Sequence, residues 1–294
     1  MLSVLIPTYN YNAFFLVKEI HQQLILENIK FEIICLDDAS KSVLNTENEK
    51  INTLDFAIFS ALNKNIGRSA IRNLLSHKAN YTWLLFLDSD VMPVTNNFMK
   101  NYVNCFQKEN TVFCGGLLYE NKEENVNLLR YKFGKKQEEV SVEKRKQQPE
   151  KYFFTSNFLI EKKIFNQVNF EEKLTQYGRE DLLFSLDLIK NGYKIEHLAN
   201  EVYHLGLDTD LIFIKKTKKA IENLFYLKEQ NLVTKYDLKL LKLANKLDAL
   251  KLTSIIGKTY SFFEKKALQK KSVFYLNCLK VAYFCFLKKD KKAT

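Results

Sequence analysis

Proline and glycine are scarce, 3 and 8 in 294 residues. That excludes a collagen-like repeat and any long flexible linker. No Cys-x-x-Cys spacing occurs among the 5 cysteines, Cys35, Cys105, Cys114, Cys278 and Cys285. They are odd in number and far apart, which suggests neither a zinc knuckle nor a disulfide framework; reduced thiols in a cytoplasm are the simple reading. No basic start and no long apolar core precede Val4-Leu5-Ile6-Pro7, so no signal peptide is expected. The apolar aromatic run Val273–Leu287 has 15 residues, interrupted by Asn277 and Lys280. A spanning helix needs about 20, so this run fits an in-plane amphipathic helix or a helix packed on the body. No internal repeat is visible.

What is present is ordinary for a soluble globular chain: 46% hydrophobic and 27% charged residues. That excludes a wholly disordered or fibrous protein, and the length suits one large domain or one and a half. The net charge of +11 is uneven. Residues 211–294 hold 20 Lys against 6 Asp/Glu, a balance of +14, while residues 1–210 hold 25 basic against 28 acidic, a balance of −3. A basic tail on a slightly acidic body points to a local partner such as an anionic membrane surface, and away from nucleic acid.

The first half alternates two kinds of segment. Leu2–Ile6, Phe31–Leu36, Phe56–Ser60 and Thr82–Leu87 are short apolar runs suited to strands buried on both faces. Phe14–Leu26 and Ser69–His77 carry apolar residues at helical spacing. Such alternation predicts a parallel α/β sheet with right-handed crossovers. Residues 120–151 are highly charged and aperiodic, which predicts a mobile loop, a lid or a solvated insertion. Tyr152–Ile160 reads as a strand, Glu180–Asn191 as a helix stopped by Gly192, and Ile195–Leu198 and Val202–His204 as short strands. From Leu211 the pattern is helical. Leu240, Leu243, Ala244, Leu247 and Leu250 trace one apolar face, opposite Lys239, Lys242 and Lys246.

Ligands of open α/β sheets bind at the carboxyl ends of strands. Here strand ends carry Pro7-Thr8-Tyr9-Asn10, Asp37-Asp38-Ala39-Ser40 and Asp88-Ser89-Asp90. Each cluster alone could merely cap the following helix. Together they gather polar groups on one edge of the sheet. Residues two apart in an extended chain project to the same side, so Asp88 and Asp90 make an oxygen-rich site suited to Mg²⁺ or Mn²⁺. Few protein ligands would leave positions open for substrate phosphates.

In order along the chain, these pieces resemble the family 2 glycosyltransferases with the GT-A fold. The matching segments are Val4-Leu5-Ile6-Pro7-Thr8-Tyr9-Asn10, Glu32-Ile33-Ile34-Cys35-Leu36-Asp37-Asp38-Ala39-Ser40, Asn65-Ile66-Gly67-Arg68-Ser69-Ala70-Ile71-Arg72-Asn73, Phe86-Leu87-Asp88-Ser89-Asp90 and Tyr177-Gly178-Arg179-Glu180-Asp181. The resemblance covers roughly residues 2–206, and the tail has no counterpart in the shared core. It implies a GT-A Rossmann-like mixed α/β sheet with flanking helices over 1–210, followed by a basic α-helical extension over 211–294. Ala39 stands where the family usually has Gly, and nothing reproduces the Gln-x-x-Arg-Trp segment of processive polymer synthases.

By that resemblance, Asp38 would accept a hydrogen bond from the uracil of a UDP-sugar, and Pro7, Thr8 and Tyr9 would line the nucleoside pocket. Arg72, Asp88 and Ser89 would face the donor, with Asp88 on the ribose or sugar. Asp90 would ligate the metal, joined by His204. Asp181 would be the general base, and Glu180 would help to hold the acceptor. The chemistry explains these residue types independently. A divalent ion stabilises a departing diphosphate, and a carboxylate takes the proton of a poorly nucleophilic hydroxyl. Attack opposite the leaving group needs one base, as in inverting glycosidases. Glu180 and Asp181 could also be first-turn acids complementing a helix dipole, His204 a core or surface histidine, and Arg68 a surface residue.

The expected protein is thus an inverting, metal-dependent hexosyl- or N-acetylhexosaminyltransferase of polysaccharide biosynthesis. It would use a nucleotide-sugar, UDP-linked, and a glycan or lipid-linked saccharide acceptor. It would be cytoplasmic and peripheral at the inner face of the plasma membrane, with a homodimer or a packed helical cap as other uses of the tail. One rival is a sugar-phosphate nucleotidyltransferase, disfavoured because residues 7–20 contain no glycine for a phosphate loop. A non-catalytic nucleotide- or glycan-binding module is the other.

Overall fold

A computed structural model describes residues 1–174, 178–233 and 239–291. Its strands are β1 (Leu2–Thr8), β2 (Phe31–Asp37), β3 (Ala57–Ala61), β4 (Trp83–Leu87), β5 (Val91–Pro93), β6 (Thr111–Cys114), β7 (Leu117–Leu118), β8 (Asn157–Glu161), β9 (Lys194–His197) and β10 (Val202–His204). Seven form one mixed sheet in the order β3-β2-β1-β4-β8-β6-β9. β3, β2, β1 and β4 run parallel, and β8 is antiparallel to both β4 and β6. The continuous apolar runs of β1 and β4 are buried because helices cover both faces. Each fully buried Val, Leu or Ile there contributes roughly 1.5–3 kcal/mol. One core cluster joins β1, β2 and β4 to the Phe14–Ile25 and Phe98–Val103 helices; another joins the opposite face to the Arg68–Lys78, Lys162–Val168 and Glu180–Lys190 helices.

From β1 the chain steps outward to β2 and β3, then crosses back to β4 on the other side of β1. The strand order therefore reverses between β1 and β4, and it is outside the carboxyl ends at such a reversal that open α/β sheets bind ligands. Thr8, Asp37 and Leu87 end the strands there, so Tyr9, Asp38 and Asp88 follow at that edge.

The strand expected over 152–160 begins only at Asn157. Its register on β4 pairs Leu87 with Asn157 and Trp83 with Glu161, so the ladder starts where β4 ends. Residues 149–152 form a 3-10 turn instead. The charged segment 120–151, expected as a loop, lid or solvated insertion, contains the helices Glu123–Val126, Leu129–Gln137 and Val142–Gln147. Leu129, Tyr131 and Arg145 are its buried anchors. The fully buried Arg145 guanidinium donates to the carbonyls of Val140, Cys114 and Leu198, contacts His197 Nδ1 at 3.3 Å and pairs with Glu201 at 2.6 Å. A Cβ on Gly116 would lie 2.6 Å from that guanidinium carbon, and Gly116 has φ +92. The close approach and the left-handed backbone both require glycine.

By compactness the chain divides into two units. The first comprises Met1–Glu120, Gln137–Thr175 and Glu180–Gly206; the second comprises Asn121–Lys136, Gln176–Arg179 and Leu207–Thr294. The second unit is helical, with Asp210–Glu229, Lys239–Ala249, Thr253–Gly257, Tyr260–Lys270 and Val273–Lys291. The apolar run anticipated at 273–287 is its central helix: Leu276, Leu279, Ala282, Phe284 and Cys285 are buried, and four of the other helices pack on it. Phe225 and Tyr260 pack against Phe284 and Phe286. No helix among the described residues is long and apolar enough to cross a membrane. In Lys239–Ala249 the buried positions are Leu241 and Ala244, while Leu243 is exposed and Leu250 just beyond is exposed too. Of the apolar face expected there, Ala244 is buried, Leu240 and Leu247 are half-buried, and only Leu243 and Leu250 are exposed.

Candidate active site

The nucleotide-facing residues expected from the sequence sit on the first unit. Pro7 and Thr8 end β1, half-buried and buried, and Tyr9 is 59% exposed at the lip. Thr8 Oγ1 donates to the Tyr11 carbonyl at 3.3 Å. Asp38 is buried, and its two carboxylate oxygens accept the backbone N–H of Ile66 at 2.7 Å and of Gly67 at 2.9 Å. It thereby pins the start of the Arg68–Lys78 helix against β2. Each oxygen retains acceptor capacity beyond those bonds. Ala39 adopts φ 57, a left-handed conformation that costs an L residue roughly 1–2 kcal/mol. This accounts for glycine being the usual residue there.

Asp88 follows β4 and meets the Arg68–Lys78 helix. Arg72, buried at 1% exposure, donates Nη2 to Asp88 Oδ1 at 2.5 Å and Nη1 to the Arg68 carbonyl at 3.1 Å. Arg68 lies one turn earlier on the same face. Its guanidinium is 4.0 Å from Asp88 Oδ2 and 3.7 Å from Glu180 Oε1. Burial pushes the Asp88 carboxyl up, but the Arg72 and Arg68 guanidiniums, the Arg72 hydrogen bond and His204 outweigh it and hold it below the usual carboxylate value. Glu180 opens the Glu180–Lys190 helix, is buried, and has Oε2 without a hydrogen-bond partner.

Asp90 meets His204 through a second, three-stranded sheet of order β5-β10-β7. Antiparallel pairing of β5 with β10 sets His204 opposite Val91, which brings the imidazole to Asp90: Nε2 is 3.6 Å from Oδ2. A Cβ on Gly206 would lie 2.3 Å from that same Asp90 oxygen, so only glycine leaves room for the carboxylate. His204 stacks on Tyr119 with centroids 5.6 Å apart, and its buried Nδ1 has no hydrogen-bond partner. Burial, then the Asp90 charge, raises the Tyr11 hydroxyl above its ordinary pKa. Among the described residues no group of three or more His, Cys, Asp or Glu could hold a metal ion. The donor set here is one carboxylate and one imidazole, too far apart to hydrogen-bond. Such a pair suits a divalent ion that takes its remaining ligands from water and substrate phosphate.

Residues 3–169, more than half of the chain, match the family described as Glycosyl transferase family 2. The chain belongs to this family. No curated protein matches the sequence. Among solved structures, residues 1–349 of TarS from S. aureus share 18% identity with this glycosyltransferase, covering 99% of its chain and 91% of theirs, with a TM-score of 0.51. Against the longer TarS structure the identity is 17% and the coverage 98% of this chain and 55% of that one. The mannosyltransferase PcManGT from Pyrobaculum calidifontis, solved with GDP-Man and Mn²⁺, shares 11% identity, with 99% and 86% coverage and a TM-score of 0.58. GalNAc-T7, solved with UDP, GalNAc and Mn²⁺, shares 13%, with 78% and 47% coverage and a TM-score of 0.52. At these identities what is shared is the fold, and the mixed sheet has the expected GT-A architecture.

In this glycosyltransferase the first unit thus gathers two pairings, Arg72 and Arg68 with Asp88 and Glu180, and His204 with Asp90. Ser89 lies half-buried between the two acids. Asp181 is half-buried beside Glu180, and its Oδ1 accepts the N–H of Leu182 at 2.7 Å. Tyr177, quoted with these acids, lies outside the described residues. Sequence reasoning left Arg68 as a surface residue, although its spacing of four from Arg72 was a helical signal that it shares that face. Tyr119 carried no local signal, because only the sheet pairing β10 with β5 and β7 brings it to His204.

Proposed function

We propose that this enzyme transfers a sugar from a nucleotide-sugar donor, a UDP-sugar, to a hydroxyl of a glycan or lipid-linked saccharide, inverting the anomeric centre. The observation that carries the reading is the pair of acids after β4, each met by its own partner: Arg72 on Asp88 and His204 on Asp90. A divalent ion, Mn²⁺ or Mg²⁺, held by Asp90 and His204 would supply positive charge to the departing diphosphate. The Mn²⁺ in the PcManGT and GalNAc-T7 structures supports that assignment by analogy.

The chain's own residues divide the remaining work. Pro7, Thr8, Tyr9 and Asp38 bind the nucleoside, with Asp38 accepting from the base. Asp88, oriented by Arg72 and kept ionised by its guanidinium, accepts hydroxyls of ribose or sugar, with Ser89 beside it. Glu180 accepts acceptor hydroxyls, and Asp181 takes the proton of the attacking hydroxyl. The sugar moved is a hexose or an N-acetylhexosamine, as for the GDP-Man and UDP-GlcNAc carried by structures of this fold. The product belongs to polysaccharide biosynthesis in the cytoplasm. The lysine-rich second unit holds the enzyme at an anionic membrane surface, each Lys near it contributing about 1 kcal/mol.

A donor screen tests this reading. The purified protein with Mn²⁺ or Mg²⁺ is offered UDP-, GDP- and dTDP-sugars without acceptor, and release of the nucleoside diphosphate is measured. Turnover of one UDP-sugar, lost in Asp88→Asn and Asp90→Asn, is the expected result. Turnover of none would overturn it.

A further inference from the structure

We propose that Tyr119 is a positioning residue for His204, gripped by Glu138 and Glu139 so that its ring sets the imidazole beside Asp90. The inference rests on the reading above in which Asp90 and His204 hold one divalent ion, and it assigns the residues that orient that pair. A histidine that ligates a metal ordinarily donates its other ring N–H to a carboxylate, a carbonyl or water, which fixes its tautomer and ring plane. His204 has no such bond to the protein: its Nδ1 is buried without a hydrogen-bond partner. A ring holds the imidazole instead. Tyr119, 3% exposed, stacks on it with centroids 5.6 Å apart and planes inclined by 30°.

The sheet register brings the two rings together. β7 pairs with β10 so that Leu118 lies opposite Tyr203, and the next residues are Tyr119 and His204. There the β7 ladder stops, and the Tyr119 N–H donates to Glu139 Oε2 at 2.9 Å. The Tyr119 hydroxyl donates to Glu138 Oε2. Two adjacent carboxylates thus hold the backbone and the ring tip of one residue, and bonds to ionised acceptors are roughly twice as strong as neutral ones. The acids are anchored in turn. The buried Arg145 donates Nε to the carbonyl of Val140, the residue after Glu139, and Nη2 to the Leu198 carbonyl and to Glu201, just ahead of β10. Residues 138–145 therefore strap Tyr119 to the strand that carries His204. A ring fixed at both ends limits how far the stacked imidazole can turn, so the 3.6 Å separation of Nε2 from Asp90 Oδ2 is set in advance.

Calorimetric titration of the full chain with UDP and with GDP, in Mn²⁺ and in chelator, tests this. The quantity read is the ratio of the two affinities. Tyr119→Phe keeps the ring and removes the bond to Glu138, whereas Tyr119→Leu removes the ring. Loss of such a supporting partner typically costs about 10–100-fold in metal affinity, so the ratio should fall at least about tenfold in Tyr119→Leu and at least about threefold in Tyr119→Phe. Affinity in chelator should stay within about twofold of the unsubstituted protein in both, because the metal contributes nothing there. In a His204→Ala background, Tyr119→Phe should lower the ratio no further, since the two residues act as one unit. An unchanged ratio in Tyr119→Phe overturns the proposal, and this variant keeps the packing volume should Tyr119→Leu not fold. Equal losses in Mn²⁺ and in chelator also overturn it, because Tyr119 would then support the pocket as a whole. So does a further loss in the His204→Ala background. If the unsubstituted protein itself gains no affinity from Mn²⁺, the metal reading fails and the proposal with it. That outcome is distinct from the others, in which the unsubstituted protein responds to Mn²⁺.

Discussion

His204 Nε2 stands 3.6 Å from Asp90 Oδ2, and the one residue whose Cβ would intrude on that carboxylate is a glycine, Gly206. The gap is too long for a hydrogen bond, and the proposal that the two residues ligate one cation makes a direct prediction. UDP affinity measured by calorimetry should therefore fall at least about tenfold when Mn²⁺ is chelated, since metal and diphosphate neutralise each other. Asp90→Ala should lower UDP affinity to the chelated value and abolish its response to Mn²⁺. Gly206→Ala should weaken the response by displacing the carboxylate. Equal affinity with metal, with chelator and in Asp90→Ala would remove the metal from the site.

Asp181→Asn keeps the shape of the side chain and removes its basicity. A positioned general base contributes about 10²–10⁴-fold, so transfer should fall by at least ~100-fold while UDP affinity holds. Transfer within a few-fold of the unsubstituted enzyme would leave Asp181 as a first-turn acid of the Glu180–Lys190 helix and nothing more.

The parallel half of the sheet was legible because β1, β2 and β4 are buried on both faces and read as unbroken apolar runs. Asp38 and Asp88 directly follow the carboxyl ends of β2 and β4, so local pattern was enough to place these candidates on one edge of the sheet. The antiparallel half was less legible. β10 was expected over Val202–His204 and is there, but β5 and β7 have three residues or fewer and no periodicity to detect, yet their pairing with β10 brings Tyr119 to His204. The segment 120–151 misled for a different reason. Its charged composition suggested solvent, but Arg145 is fully buried, satisfied by carbonyls and Glu201 that lie far away in sequence. A buried arginine is invisible to hydropathy when its partners are non-local.

That arginine sits beside His197, and together they predict a pH dependence of stability. Burial pushes the His197 imidazole down to about 4; the Pro149 carbonyl opposes this, and the Arg145 charge adds to it. An unfolded histidine protonates near pH 6.5, while the folded one stays neutral until about 4. The unfolded chain thus binds the extra proton between those values. Stability is full above about pH 6.5 and declines as pH falls toward 4. Urea unfolding should show the unsubstituted protein losing about 2 kcal/mol more than His197→Gln between pH 7.5 and pH 5. Parallel pH profiles would show that His197 is not held neutral. Arg145→Ala, at pH 7.5, should cost about 3–5 kcal/mol by orphaning Glu201 and the buried carbonyls.

The last prediction concerns the lysines of the second unit. Its apolar run Val273–Leu287 is used inside the unit, so it is not free to enter a membrane. What remains outward are lysines and scattered apolar side chains: Lys251, Lys258 and Lys265 are exposed, as are Leu250 at 66%, Ile255 at 62% and Phe262 at 55%. Basic groups mixed with exposed apolar ones suit the headgroup region of an anionic bilayer. Deleting the chain beyond Leu250 would remove the helix on which the others pack, so substitution is the cleaner test. The intact protein should cosediment with phosphatidylserine-containing liposomes at low salt, ignore phosphatidylcholine alone, and be released as salt shortens the reach of charge. Changing Lys251, Lys258 and Lys265 together to Glu should reduce that partition by more than about a hundredfold, since each lysine is worth about 1 kcal/mol and its reversal costs more. Failure of the intact protein to bind anionic liposomes at low salt would leave the positive charge of 211–294 without a membrane role.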